Sequence, residues 1–102
     1  MDIHPSAWIA SSASIDRTWP RGVHIAENCL IDDGAIVLTH DGSRGLYLDT
    51  RIGARTIVGA RAILMPGISI GADCRIEPGS VVTTDLAPGS HVGGNPARPL
   101  RR

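Results

Sequence analysis

An aliphatic residue at every sixth position is the strongest constraint that this sequence places on its fold. Neither the 3.6-residue period of an α-helix nor the two-residue alternation of a plain β-strand accounts for a period of six. A short strand followed by a tight turn does account for it, because each unit then buries one residue before the chain bends. The phased residues are Ile3, Ile9, Ile15, Ile25, Ile31, Val37, Ile52, Val58, Leu64, Ile70, Ile76 and Val82.

Three such units close a triangular coil, and coils stack at the spacing of neighbouring strands, about 4.8 Å. Two more columns keep the same phase: a polar residue or glycine three positions after each aliphatic one, and a mostly small residue four positions after it. Each coil then buries its aliphatic residues against the next coil, as in other solenoids. The sequence predicts one domain over residues 1–102, with coils at 3–20, 25–42, 52–69 and 70–87 and a tail at 88–102.

Charge and hydropathy narrow the class of protein. The ten basic residues are all arginine, and ten acidic residues balance them. That balance gives no general attraction to nucleic acid or to an anionic membrane surface. The start, MDIHPSAW, has the features of no signal peptide, and no apolar run approaches the roughly 20 residues of a membrane-spanning helix. We therefore expect a cytoplasmic protein that does not insert into membranes.

The repeat unit, [Ile/Leu/Val]-[Gly/Ala/Glu/Asp]-x-x-small-x, resembles that of the hexapeptide-repeat acyltransferases over about residues 3 to 101. Second positions fit the pattern in most units, for example at Ala10, Asp16, Gly53 and Glu77. The resemblance implies an all-β fold, a left-handed parallel β-helix, although the general rule for parallel crossovers would give a right-handed one. It also implies a homotrimer, which would cover a narrow prism that is poor in aromatic residues.

Two segments interrupt the repeat, RGVH at 21–24 and SRGLYLDTR at 43–51. Trp19 and Asp41, which stand where a small residue is usual, come just before these interruptions. Loops that leave a rigid scaffold are common places for binding and chemistry. We therefore expect the acceptor side of an active site near the 43–51 loop, with Trp19, Asp41 and Tyr47 as candidate contacts.

His40 stands at the base of the second interruption, in the stretch LTHDGS. Its position alone favours an ordinary solvated corner histidine. The segment THDG, however, is similar to a signature of the sugar and xenobiotic acetyltransferase branch, in which the histidine is the catalytic base. An imidazole suits that role, because its reference pKa of about 6.5 lets it take and return a proton at neutral pH. Asp41 either shapes the turn or meets the acceptor.

The end of the chain carries a second resemblance to the same family. The segments GSVVTTDLAPGS and GGNPARPLR look like the family's last coils and tail, where the coenzyme A arm lies in a groove between subunits. An ordinary solvated basic C-terminus is the alternative interpretation of the arginines. By position, the resemblance implies coenzyme contacts at Ala60, Pro78, Thr83, Thr84, Arg98 and Arg101. Proline at 78 departs from the family pattern and removes a backbone N–H donor there.

Cys29 and Cys74 share the small-residue column two coils apart. At strand spacing they would lie roughly 9 to 10 Å from each other, which is too far for a disulfide. We expect both to be small core residues in a reducing compartment.

Two rival functions remain open. The γ-class carbonic anhydrases share the β-helix and bind zinc through three histidines, but their closely spaced histidine pair is absent here, and we expect no metal. A non-catalytic β-helix used for assembly is the other alternative. The sequence favours an acetyltransferase with acetyl-coenzyme A as cosubstrate, direct transfer and a sugar-like acceptor. It does not distinguish O- from N-acetylation.

Overall fold

The computed structural model describes residues 1–16 and 18–100, which form an all-β chain with one 3-10 turn at Pro20–Gly22. Nowhere in these two ranges is there a helix long and apolar enough to cross a membrane. The strands are β1 (Asp2–Ile3), β2 (Trp8–Ile9), β3 (Ser14–Ile15), β4 (Val23–Ile25), β5 (Leu30–Ile31), β6 (Ile36–Val37), β7 (His40–Asp41), β8 (Leu46–Tyr47), β9 (Thr50–Ile52), β10 (Ile57–Val58), β11 (Ile63–Leu64), β12 (Ser69–Ile70), β13 (Arg75–Ile76), β14 (Val81–Val82), β15 (His91–Gly93) and β16 (Arg98–Pro99).

The strands stack into three parallel faces of a prism. Face A is ordered β1-β4-β9-β12, face B is ordered β2-β5-β10-β13-β15, and face C is ordered β3-β6-β11-β14. Each coil contributes one strand to each face in the order A, B, C. The chain folds into a left-handed parallel β-helix, which confirms the fold class that the family resemblance implies.

The strand register follows the six-residue phase. On face A, Ile3 pairs with Ile25, Ile25 with Ile52, and Ile52 with Ile70. Faces B and C keep the same pairing of one phased residue with the next. A one-residue slip would turn every aliphatic side chain outward, so the phase and the register fix each other.

The phased residues also form the core. Those of the second, third and fourth coils are at most 2% exposed: Ile25, Ile31, Val37, Ile52, Val58, Leu64, Ile70, Ile76 and Val82. Ile3, Ile9 and Ile15 of the first coil are only partly buried, because they pack against a single neighbouring coil.

The corners explain the polar column of the repeat. The residue three positions after a phased one has a positive φ at Asn28, Gly34, Arg55, Arg61, Gly67, Asp73 and Gly79. A tight turn with a left-handed residue favours glycine, asparagine and aspartate, and a larger residue such as arginine costs roughly 1–2 kcal/mol there. His40 has the same offset but lies in strand β7 instead, so the corner that holds it is irregular.

The small-residue column binds one coil to the next. The Cys29 thiol donates to the carbonyl of Gly53 (3.0 Å), and the Thr56 hydroxyl donates to the carbonyl of Gly71 (2.9 Å). Burial raises the pKa of the Cys29 thiol, which keeps it protonated as a donor. Cys29 and Cys74 are both buried and free, as the coil spacing predicted.

The parallel stacking continues beyond residue 87, where the sequence predicted only a tail. Leu86 bridges to Ile70 on face A, and Val92 of β15 pairs with Ile76 on face B. The phase slips by two residues, because only four positions separate Val82 from Leu86. Val92 is 2% exposed and extends the core, and β16 then returns antiparallel to β15.

Candidate active site

Both interruptions of the repeat fall at the same corner of the prism, between faces C and A, in adjacent coils. The two segments contact each other, since a Cβ on Gly22 would lie 2.7 Å from the carbonyl oxygen of Leu48. A Cβ on Gly67 of the next coil would lie 2.8 Å from the Leu48 side chain. Residues 16, 18–24 and 38–51 therefore make one packed structure, which we call the loop corner.

A short hairpin holds the histidine at the loop corner. Strands β7 and β8 pair antiparallel, with His40 opposite Tyr47. Two fully buried threonines close the base of the hairpin. The Thr39 hydroxyl donates to the carbonyl of Trp19 (2.9 Å), and the Thr50 hydroxyl donates to the carbonyl of Leu38 (2.6 Å). His40 is thus fixed by main-chain and side-chain bonds on both sides.

The His40 ring pairs with a carboxylate from the coil before it. His40 Nδ1 lies 2.7 Å from Asp16 Oδ2. The Asp16 side chain is only 3% exposed, whereas that of His40 is 29% exposed. One ring nitrogen is therefore held inside the protein while the ring still reaches solvent.

Hydrogen bonds keep Asp16 ionised. Burial favours the protonated acid, but the main-chain N–H groups of Thr39 (2.9 Å) and Thr18 (2.8 Å) and the His40 ring (2.7 Å) all donate to its carboxylate. These bonds outweigh burial and hold the pKa of Asp16 well below its usual value. An ionised carboxylate only accepts, so Nδ1 of His40 carries a proton and the neutral ring has its lone pair on Nε2. That lone pair is what a general base needs.

Asp16 is a site residue that the sequence motifs did not predict. The repeat pattern accepts aspartate at the second position of any unit, so Asp16 looked like an ordinary repeat residue. The signal was the register: Ile15 pairs with Val37, so Asp16 lies one coil below the turn that leads to His40. The six-residue phase could not predict that the Asp16 carboxylate would accept a hydrogen bond from the Thr39 N–H.

The depressed pKa of Asp16 predicts a pH-dependent contribution to stability. An unfolded aspartate titrates near about 3.9, and the folded value is lower. The contribution is therefore complete above about pH 4 and is lost as the pH falls through the folded-state pKa. We expect Asp16→Asn to lower the free energy of unfolding at pH 7, and the gap from the wild type to narrow at pH 3. Urea unfolding at both pH values measures this, and a gap that stays constant would contradict it.

The aromatic candidates lie beside the histidine. The rings of His40 and Tyr47 are stacked, with centroids 6.1 Å apart and planes at 22°. Trp19 meets Tyr47 edge-on, with centroids 6.0 Å apart and planes at 65°. The structure therefore brings His40, Tyr47 and Trp19 together, and Tyr47 remains 57% exposed.

Asp41 is engaged in the hairpin turn. One carboxylate oxygen accepts from the Ser43 hydroxyl (2.7 Å) and the other from Arg44 Nε (2.7 Å). These bonds to Ser43 and Arg44 lower the pKa of Asp41 to about 2. Of the two roles considered for Asp41, this geometry supports shaping the turn, and its contact with an acceptor stays a prediction.

A groove of about 560 Å³ runs along a different corner, between faces B and C. Ala60 and Pro78, both predicted to contact the coenzyme, line it together with Ser12, Asp33 and Arg61. Small residues and turn backbone form much of its wall. The structure thus brings together two of the predicted coenzyme residues in a surface groove.

The remaining coenzyme candidates lie elsewhere. Thr83 and Thr84 are exposed and follow β14, at the corner between faces C and A. Arg98 is exposed in β16, opposite Gly93 of β15. Arg101 lies outside the described residues. Of the candidates that the structure describes, Thr83, Thr84 and Arg98 do not line the groove with Ala60 and Pro78.

The four histidines have separate partners. His4 bonds to the hydroxyl of Ser6 (2.7 Å), His24 lies between Asp2 (3.2 Å) and Asp49 (3.0 Å), and His91 bonds to Glu77 (2.8 Å). Within residues 1–16 and 18–100, no three histidine, cysteine, aspartate or glutamate side chains are grouped to hold a metal ion.

The stacked coils of hexapeptide repeats define the class of protein to which this fold belongs. Residues 49–84 match the family model described as bacterial transferase hexapeptide (six repeats). The chain belongs to the hexapeptide-repeat transferase family.

Relatives and solved structures agree with this assignment. Serine acetyltransferase 2 of Arabidopsis thaliana is 34% identical over 99% of this chain and 32% of its own length. A chloramphenicol acetyltransferase of Agrobacterium fabrum is 44% identical over 53% of this chain and 26% of its own length. The crystal structure of a hexapeptide-repeat acetyltransferase from Vibrio cholerae has a TM-score of 0.82 at 26% identity, covering 93% of this chain and 58% of that one. The chain thus spans about a third or less of the length of these two relatives.

Proposed function

We propose that the protein transfers an acetyl group from acetyl-coenzyme A to a hydroxyl or amino group of a sugar-like acceptor, with His40 as general base. The Asp16–His40 pair is the observation that carries the proposal. A buried, ionised carboxylate fixes one ring nitrogen (2.7 Å), and the other is left as the base on a partly exposed ring. The relatives' names, all acetyltransferases, support the acetyl group.

The chemistry needs one proton to move and return. As the acceptor oxygen or nitrogen bonds to the thioester carbonyl carbon, His40 Nε2 takes its proton. Asp16 stabilises the imidazolium that forms, because its negative charge lies against the protonated ring. The carbon–sulfur bond then breaks, and the imidazolium returns the proton to the departing thiolate. The products are the acetylated acceptor and coenzyme A, and no acyl-enzyme forms.

The groove at the corner between faces B and C is the proposed coenzyme site. An extended pantetheine arm fits a shallow wall of small residues such as Ala60 beside Pro78. Thr83 and Thr84 are proposed to contact the same arm. Arg98 is exposed and is proposed to bind phosphate, for which the planar guanidinium is suited; Arg101 is proposed for the same role.

A homotrimer would join the two half-sites. His40 lies at one end of face C and the groove at the other, so a single chain keeps them apart. In the second to fourth coils the outward column of face C is apolar, with Ile36, Ile63 and Val81 in register and half-buried. A second copy packed over this column would cover it and bring its groove to His40 of the first. We propose that the catalytic unit is this trimer.

Coenzyme binding tests the proposal. We expect metal-stripped protein to bind acetyl-coenzyme A in calorimetry, and Arg98→Ala to weaken the Kd about tenfold, since a hydrogen bond to a charged group contributes about 1.5–3 kcal/mol. Arg55→Ala, an exposed arginine at the corner between faces A and B, is the matched control and should leave the Kd unchanged. Absence of binding by a folded trimer would contradict the proposal. Zinc analysis of untreated protein would then separate a carbonic-anhydrase-like site from a scaffold without chemistry.

A further inference from the structure

Two of the three aromatic residues of the chain are concentrated at the loop corner. The sequence contains two tryptophans, one tyrosine and no phenylalanine. Tyr47 lies beside His40, and Trp19 meets Tyr47 edge-on. The His40 and Tyr47 rings are nearly parallel, but their centroids are 6.1 Å apart, so the rings are offset. Tyr47 as a whole residue is 57% exposed. We call Trp19 and Tyr47 the aromatic shelf.

Gly22 provides the space in which the Trp19 ring lies. A Cβ on Gly22 would come within 2.5 Å of ring atoms Cε3 and Cζ3 of Trp19, and within 2.7 Å of the Leu48 carbonyl oxygen. Real Cβ atoms do not approach so closely, so any larger residue would displace the indole. Gly22 is itself buried, and its N–H donates to the Trp19 carbonyl (3.1 Å). Glycine at position 22 therefore leaves room for the indole ring and for the Leu48 carbonyl.

We propose that Gly22 determines acceptor specificity by seating Trp19 against Tyr47, and that the shelf selects an acceptor with a six-membered ring over an open-chain acceptor such as serine. The inference rests on the proposed function, because it assumes that the acceptor meets His40 Nε2. An acceptor hydroxyl at that nitrogen places the rest of the molecule beside the exposed face of Tyr47. A ring with an apolar face gains contact area there, whereas a short polar molecule gains little. Pyranosides and aromatic alcohols share this chemistry.

The test compares Gly22→Ala with Gly42→Ala. Gly42 lies in the neighbouring hairpin turn, and a Cβ there would meet nothing within 4 Å. Coenzyme A release would be measured with methyl pyranosides, benzyl alcohol and L-serine as separate acceptors. We expect Gly22→Ala to raise KM for the better ring-bearing acceptor about tenfold, with little change in kcat. Acetyl-coenzyme A binding and the serine rate should stay within about twofold, and Gly42→Ala should match the wild type.

A second variant background tests whether Gly22 acts by positioning the Trp19 ring or only by general packing. In Trp19→Ala protein there is no indole to displace, so adding Gly22→Ala should change KM no further. A further loss in that background would mean that Gly22 acts through Leu48, and would overturn the inference. If Gly22→Ala does not fold, Trp19→Leu and Tyr47→Leu should each raise the same KM selectively.

The position of the indole can be measured without turnover. With Trp8→Phe as background, Trp19 is the sole tryptophan. We expect its emission maximum to shift in Gly22→Ala and not in Gly42→Ala, and an unchanged maximum would contradict the proposed seat. If the emission maximum shifts but the wild-type protein acetylates none of the acceptors, the result would count against the proposed function instead. Equal losses with ring-bearing acceptors and serine would count against the shelf alone.

Discussion

Replacement of His40 by glutamine is expected to lower kcat for acetyl transfer by about 10²- to 10⁴-fold, the usual contribution of a general base. The glutamine amide can still donate to Asp16, so the hairpin should keep its structure. It has no basic nitrogen, however, and cannot accept the acceptor proton. Steady-state release of coenzyme A measures the loss, and calorimetry should give an unchanged Kd for acetyl-coenzyme A.

The matched control is His4→Gln. His4 is exposed and its ring bonds locally, to Ser6 two residues away, so loss of the imidazole should leave the rate unchanged. If His40→Gln kept more than about a third of the wild-type kcat, His40 would not be the base. Loss of coenzyme binding in the same variant would instead mean that the substitution had disturbed the fold.

Asp16→Asn is expected to cost roughly 10²- to 10⁴-fold in kcat, since in such a pair the carboxylate sets the tautomer of the histidine. The asparagine side chain has one oxygen, but both carboxylate oxygens of Asp16 accept bonds, one from Thr18 and one from Thr39 and His40. If the NH2 group of the asparagine faces the His40 ring, it donates to Nδ1. The ring proton then lies on Nε2, so Nε2 can no longer accept the acceptor's proton. In either orientation the imidazolium loses its countercharge.

The control for Asp16 is Asp73→Asn. Asp73 forms an exposed ion pair with Arg55 (2.8 Å) at another corner, and asparagine tolerates its left-handed backbone (φ 59°). We expect its kcat to equal that of the wild type. A fully active Asp16→Asn enzyme would show that the buried carboxylate has only a structural role.

The repeat predicted the fold well because the sequence position of each phased residue indicates which residue it pairs with in the next coil. Ile25, Ile52 and Ile70 could be aligned from the sequence, and they pair as expected. The extension through Val92 could not be predicted, because the corner after Val82 is two residues shorter and the six-residue count fails there.

The site was only partly predictable, for a related reason. His40 could be found because it follows a phased strand and precedes an interruption. Asp16 could not, because its role depends on the direction of one side chain at an irregular corner, where Thr39 donates to it. Trp19 precedes the first interruption and Tyr47 lies within the second, and only the shared corner brings their rings to 6.0 Å.

The packing of Gly22 against Leu48, and of Leu48 over Gly67, has a consequence for how such a protein can diverge. The two insertions are separate in sequence but form one unit in space, so a change of length in one alters the surface on which the other rests. They are expected to be inherited together. A chimera that exchanged only the longer insertion with a relative would inherit a mismatched corner, whereas exchange of both could transplant an acceptor preference onto an unaltered prism.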